Sequence, residues 1–178
     1  NSIVTGQSND YFASALVLTP PSGTEADSNV SATMEVGESL DTNDASGGAS
    51  MWYRYTPTQS GTVVFDTDGS SFDTVLTAYT GSTIANLTRL TFNDDVNYSA
   101  GITSSSITVS AVANTTYYIR VTSYASARGA ITLNWTQTIN CPTSPLGDNF
   151  CVAIPRTGPT ETTTISNTGA SLESNEPA

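Results

Sequence analysis

Apolar residues recur at every second position through most of the chain's first 139 residues. In "SMWYRYTP" (50–57) this alternation places Met51, Tyr53 and Tyr55 on one face and Trp52 and Arg54 on the other. In "GTVVFDTDG" (61–69) it sets Val63 and Phe65 against Val64 and Asp66. "TVLTAYTG" (74–81), "LTRLTF" (87–92) and "SITVSAV" (106–112) follow the same rule. "TTYYIRVTSY" (115–124) turns Tyr117, Ile119 and Val121 inward, and "GAITLNWTQ" (129–137) groups Ile131, Leu133 and Trp135. A period of two marks a strand with one face on a core. Turn signals such as "PTQSG", "TDGSS", "TGST", "FNDD", "VANT" and "SARG" separate the runs at spacings of about 8–12 residues. No segment reads as a helix. The pattern predicts an all-β fold: an antiparallel jelly-roll β-sandwich of about eight or nine strands.

The chain also repeats itself. With an offset of 138 residues, Asp10 meets Asp148, Phe12 meets Phe150, Ala15 meets Ala153, Thr19 meets Thr157 and Pro21 meets Pro159. Further on, Ser28, Asn29, Ala32, Glu35 and Glu38 of "SNVSATMEVGE" meet identical residues in "SNTGASLESNE" (166–176). A gapless register of this length predicts a tandem module. Residues 1–139 form one complete unit, 140–146 a linker, and 147–178 the first part of a second unit. Such a partial unit cannot bury its apolar face alone. It is expected to pack on, or add strands to, a neighbouring copy. The chain begins with Asn1 and reads as a piece of a larger processed protein.

Charge and composition narrow the function classes. Sixteen acidic residues face five basic ones, a net charge of −11, which argues against nucleic acid as a partner. There is no His and no Lys, and all five cations are Arg. Histidine-dependent triads, imidazole metal sites and lysine Schiff bases are thereby excluded. No apolar run approaches the ~20 residues that span a membrane, so no membrane insertion is expected.

The strings "NDYFASAL", "ASMWYRYTPTQSGTVVFDTDGSSFDTVLTAYTG", "LTFNDD", "NTTYYIRVTSY" and "GAITLN" occur in an order that resembles the bacterial pre-peptidase C-terminal domain. The resemblance covers residues 9–135 and restarts with "GDNFCVAI" at 147. It implies a non-catalytic jelly-roll sandwich in secreted or cell-surface proteins, beside hydrolases or in adhesin-like strings. Some relatives bind calcium near the domain start, and some bind protein ligands on a strand face. Collagen binding is not carried over, because this chain departs from the collagen binders over most of its length.

Several residues are candidates for chemistry. Asn9, Asp10, Asp94 and Asp95 are the calcium candidates, since calcium takes oxygen ligands from carboxylate-rich loops. Asp41, Asp44, Asp66, Asp68, Asp73 and Asn93 lie in similar loops. Turn capping is the competing role for all of them, and Asp73 is expected to bond backbone inside the sandwich. A glycosidase pair at Asp94 and Asp95 is disfavoured, because adjacent residues of a strand point to opposite faces. Trp52, Tyr118 and Tyr124 are candidate surface aromatics for stacking against sugar. Cys141 and Cys151, with nine residues between them, are expected to pair as a disulfide in a secreted chain. Closing that loop is worth about 3 kcal/mol in the chain-entropy view. Asn29, Asn86, Asn97, Asn114 and Asn134 head N-x-S/T triplets.

These readings point to an extracellular repeat module of a bacterial surface adhesin or fibre-forming protein, stabilised by calcium. Its partners would be neighbouring copies of the repeat and extracellular glycan or protein. The alternative is an accessory substrate- or carbohydrate-binding module of a secreted hydrolase. Neither role makes this chain an enzyme.

Overall fold

The alternating runs become strands. The computed structural model describes residues 8–38 and 49–139. Among them are β1 (Leu16–Leu18), β2 (Ser22–Ser28), β3 (Met51–Tyr55), β4 (Gly61–Asp66), β5 (Thr74–Thr80), β6 (Thr88–Asn93), β7 (Ser106–Ala111), β8 (Tyr117–Ser123) and β9 (Ala130–Ile139). The only helical elements among the described residues are four single 3-10 turns, such as Phe12–Ser14. The calls on the linker, on the second repeat, on Asp41 and Asp44, and on Cys141 and Cys151 lie outside the described residues.

The pairing is nested. β5 pairs with β6, β4 with β7, β3 with β8 and β2 with β9, all antiparallel. The described strands thus form a long double ribbon folded at the β5–β6 turn and rolled into two sheets. One sheet has the order β1-β3-β8-β5-β6 and the other β2-β9-β4-β7. This is the jelly roll that the strand pattern predicts. The short β1 is added in parallel along β3, with Val17 opposite Arg54.

The inner faces meet as the alternation requires. Met51, Tyr53, Ile119 and Val121 from one sheet pack on Phe65, Val109, Leu133 and Trp135 from the other. Fully burying one such side chain contributes about 1.5–3 kcal/mol. The tyrosines reach polar partners: the Tyr55 hydroxyl donates to Gln137 Oε1 at 2.8 Å, and Tyr117 Oη accepts from Val112 N at 2.8 Å.

The five-stranded sheet is covered on its outer face as well. Phe12, Ala15, Trp52 and Tyr79 form a second apolar cluster there. The chain before β1 delivers this cover. Phe12 meets the Trp52 ring edge-on at 5.3 Å and the Tyr118 ring at 4.3 Å. Strands covered on both faces bury side chains of both parities, polar ones such as Thr77, Arg120 and Thr122 included. Six of seven residues are therefore buried in β5 and in β8.

Two glycines are required by geometry. Gly81 leaves β5 with φ +134°, and a Cβ there would lie 2.6 Å from Asn86 O. Gly23 in β2 lies opposite Trp135 of β9, and a Cβ there would collide with the indole ring. That indole is held in place, because its Nε1 donates to Thr19 O at 2.9 Å. We therefore expect Gly23→Val to lower stability by about 1–3 kcal/mol, the usual cost of overpacking. The urea midpoint checks this: it falls at an unchanged m-value if the indole alone is displaced.

Candidate functional site

The four predicted calcium ligands do not form one group. Asn9 and Asp10 are buried and structurally engaged. Asp10 Oδ1 accepts from Thr33 N at 2.6 Å, and its Oδ2 accepts from Thr33 Oγ1 at 2.9 Å. Asn9 Nδ2 donates to Asp27 Oδ2 at 2.9 Å, and Asn9 O accepts from Trp52 N at 2.8 Å. The Tyr53 hydroxyl also donates to Asp27 Oδ2, at 3.2 Å. Burial, with the Asp27 charge beside it, pushes that phenol's pKa upward. Asn9 and Asp10 thus clamp the chain start onto the sandwich.

Asp94 and Asp95 instead join Asp73. Each of the three offers a carboxylate oxygen, and these oxygens all lie within 4.8 Å of one another. The loops explain the convergence. Asp73 immediately precedes β5, while Asp94 and Asp95 immediately follow β6, so the β5–β6 hairpin brings both loops to one end of the sheet. Asp94 and Asp95 lie beyond the end of β6, so the rule that adjacent strand residues point apart does not apply to them. The expectation that the Asp73 side chain bonds backbone is also corrected. Its main-chain oxygen accepts from Tyr124 N at 3.0 Å, but its Oδ1 is buried with no hydrogen-bond partner.

Oδ1 of Asp94 and Oδ1 of Asp95 are in the same state, shut off from water and unpartnered. The three neighbouring carboxylates repel one another. Burial first, and then the charges of Asp95 and Asp94, push the Asp73 carboxyl up to about 6. Burial and then Asp95 raise Asp94 as well. The backbone around the trio is pinned. Ser105 Oγ donates to Asp94 O at 2.6 Å, Asn93 Nδ2 donates to Asp95 O at 3.1 Å, and Asn93 Oδ1 accepts from Ser106 N at 2.9 Å. Carboxylates held together without donors suit a hard cation, which takes oxygens at about 2.3–2.6 Å.

Asp66 takes the turn role. Its Oδ1 accepts from Asp68 N at 3.1 Å and from Asn134 Nδ2 at 2.8 Å. Asn29 is fully buried, its Nδ2 donating to Ala127 O and its Oδ1 accepting from Gly129 N, so a glycan cannot be attached there in the folded state.

The aromatic candidates separate. Trp52 lies on the outer face of β3, as alternation predicts, yet it is 1 % exposed and does not form part of the surface. Phe12 and Tyr79 cover it, and its Nε1 donates to Glu38 Oε1 at 3.0 Å. Tyr118 is half-buried beside Phe12, and Tyr124 is 48 % exposed. The sequence marks Glu38 only as a residue the repeat keeps, and does not mark Arg120 at all. Their side chains are 2 % and 1 % exposed, with Nη1 of Arg120 3.8 Å from Oε2 of Glu38.

No family model matches the chain, and no curated protein matches it. Among solved structures it is similar to the pre-peptidase C-terminal domain of a collagenase from Bacillus anthracis. That match has 12 % identity and a TM-score of 0.44, and covers 68 % of this chain and 94 % of that one. It is also similar to a periplasmic inhibitor of g-type lysozyme from Aeromonas hydrophila, at 13 % identity and a TM-score of 0.43, covering 70 % and 96 %.

The acidic trio has a pH signature in cation-free protein. An unfolded Asp titrates near 3.9, so between about pH 4 and 6 the folded state binds more protons at Asp73 than the unfolded one. The stability from this group is therefore full below about pH 4 and is lost as pH rises through about 6. In chelator, Asp73→Asn is expected to melt higher than the parent at pH 7 and level with it near pH 4. Thermal melts at the two pH values check this, and equal melts at pH 7 would refute the strain.

Proposed function

We propose that this chain is a non-catalytic, extracellular β-sandwich module of a tandem array, from a bacterial surface adhesin or fibre-forming protein, with calcium as a structural ion. The observation that carries the reading is which residues the repeat keeps. Asp10, Phe12, Ala15, Asn29, Ala32, Glu35 and Glu38 recur at an offset of 138 residues. In the described unit, Phe12, Ala15, Asn29 and Ala32 are buried, and Asp10 accepts from Thr33. Glu35 Oε2 accepts from Phe12 N at 2.8 Å, and Glu38 is the buried partner of Arg120. Even the Thr33 hydroxyl has a counterpart, because Ser171 stands at the matching position. The repeat therefore keeps the set that seals the start of the chain onto the outer sheet. That is what a module reused for its fold would retain.

Calcium fits the reading through Asp73, Asp94 and Asp95. These residues would hold it, and the ion would offset their mutual repulsion at the open end of the β5–β6 hairpin. Asp10 is not among the ligands in this account, because both of its oxygens are already in use.

Two measurements test the proposal. Millimolar calcium is expected to raise the melting temperature by several degrees, through binding to the folded state alone, and Asp94→Asn to remove most of the rise. An unchanged melt with calcium and with chelator would rule out the ion. Electron microscopy of the native protein, released from its source without trimming, is expected to show filaments with an axial repeat of one module. Dispersed single particles would overturn the fibre role.

A further inference from the structure

A groove of about 390 Å³ opens on the outer face of the five-stranded sheet. Phe12, Ala13 and Ala15 of the chain start form one wall, and Ser82, Thr83 and Ile84 of the β5–β6 turn another. Arg54 and Tyr118 are cross-strand neighbours on β3 and β8 and also line it, as does Glu35. Its size falls in the range of about 300–1,000 Å³ typical of small-ligand sites.

Arg54 is the unusual member. Each of the other three described arginines has a structural task. Arg89 stacks over the Phe92 ring at 4.7 Å, Arg120 is buried beside Glu38, and Arg128 Nη1 donates to the backbone oxygens of Asn29 and Ala32. Arg54 is exposed and, among the described residues, makes no hydrogen bond or ion pair. In a chain with net charge −11 and only five cations, an exposed guanidinium with no ion pair among the described residues stands out. Its planar fork matches a carboxylate.

The other walls define what carries that carboxylate. The hydroxyls of Tyr118, Ser82 and Thr83 are also unengaged among the described residues. Glu35 spends Oε2 on Phe12 N at 2.8 Å, which leaves Oε1 as an acceptor. Tyr118, held against Phe12 at 4.3 Å, supplies an aromatic wall. The ligand must therefore present hydroxyls that both donate and accept, an apolar face for the tyrosine ring, and an anionic group. An extended peptide would look for unpaired backbone at a sheet edge, whereas Arg54 and Tyr118 sit on interior strands whose edges are paired.

We infer that this groove binds a carboxylate-bearing sugar of the uronic-acid class, with Arg54 selecting the acid and Tyr118 stacking on the ring. The inference does not depend on the array or on calcium, because the groove's lining residues all lie within residues 12–118 and include none of the acidic trio. It holds equally for a fibre module and for an accessory module.

The test uses the whole chain and short oligomers of galacturonate, glucuronate and mannuronate, each with its neutral methyl ester. Calorimetry gives affinity, and amide shift mapping gives location. At least one free acid is expected to bind, with shifts at Tyr118, Ser82 and Thr83, and to lose about tenfold or more in affinity on esterification. Arg54→Gln should produce the same loss with an unchanged melting temperature. The Tyr118→Phe variant should keep the preference for acid over ester. No binding by any of the three acids, equal binding of acid and ester, or shifts confined to other faces would overturn the proposal. Preferential binding of an acidic peptide in the same groove would also overturn it, and would assign the site to a protein partner.

Discussion

A guanidinium sealed on the outer face of the five-stranded sheet organises much of this structure. Arg120 sits near the middle of β8 and is 1 % exposed. A buried cation left alone is prohibitively costly, and removing the partner of a buried pair costs about 3–5 kcal/mol. Glu38 comes to Arg120 from outside the sheet and is itself engaged by Ser50 Oγ at 2.6 Å and Trp52 Nε1 at 3.0 Å. Burial pushes the Glu38 carboxyl up, while Ser50, Trp52 and Arg120 pull it back down. The Trp52 and Tyr79 rings lie 5.7 and 5.5 Å from the guanidinium carbon and add cation–π attraction. This arrangement holds only if water is kept off the face. That is the task of Phe12, Ala15 and the turn that carries them.

The same constraint explains the path of residues 29–38, which follow β2. Residues 29–38 must cross the sheet to deliver Glu38, and they are fastened along the way. Asn29 and Arg128 bond each other's neighbourhoods, Thr33 binds Asp10, and Glu35 caps the amide of Phe12. The groove proposed to take a sugar is a by-product of this cover. Phe12 and Glu35 line it because the sheet needed covering, and Arg54 lines it as an exposed residue of β3.

Carboxylates in this fold thus occupy two regimes. Asp10, Asp27 and Glu38 are surrounded by N–H and O–H donors, and their charge is bonded to the fold. Asp73, Asp94 and Asp95 face one another with one oxygen each unpartnered. A residue list treats all six alike. The difference lies in what the neighbouring strands place opposite them, and it separates structural clamps from a candidate ion site.

Sequence alone determined the strands, the two faces of the inner core and the jelly-roll class, because those follow from local alternation and turn chemistry. Met51, Tyr53, Ile131 and Leu133 all point where period two sends them. It also showed the 138-residue register and ruled out imidazole and amine chemistry by composition. It could not show that Trp52 is buried, since alternation assigns a side to a residue and not what comes to cover that side. Nor could it separate Asp10 from Asp94, or bring Asp73 from one loop to Asp94 and Asp95 in another. Those groupings depend on how the nested ribbon closes, which sets contacts between residues some twenty to a hundred positions apart. Only the tertiary structure decided them, because hydrogen-bond donors, solvent and like charges compete for a side chain in space and not along the chain.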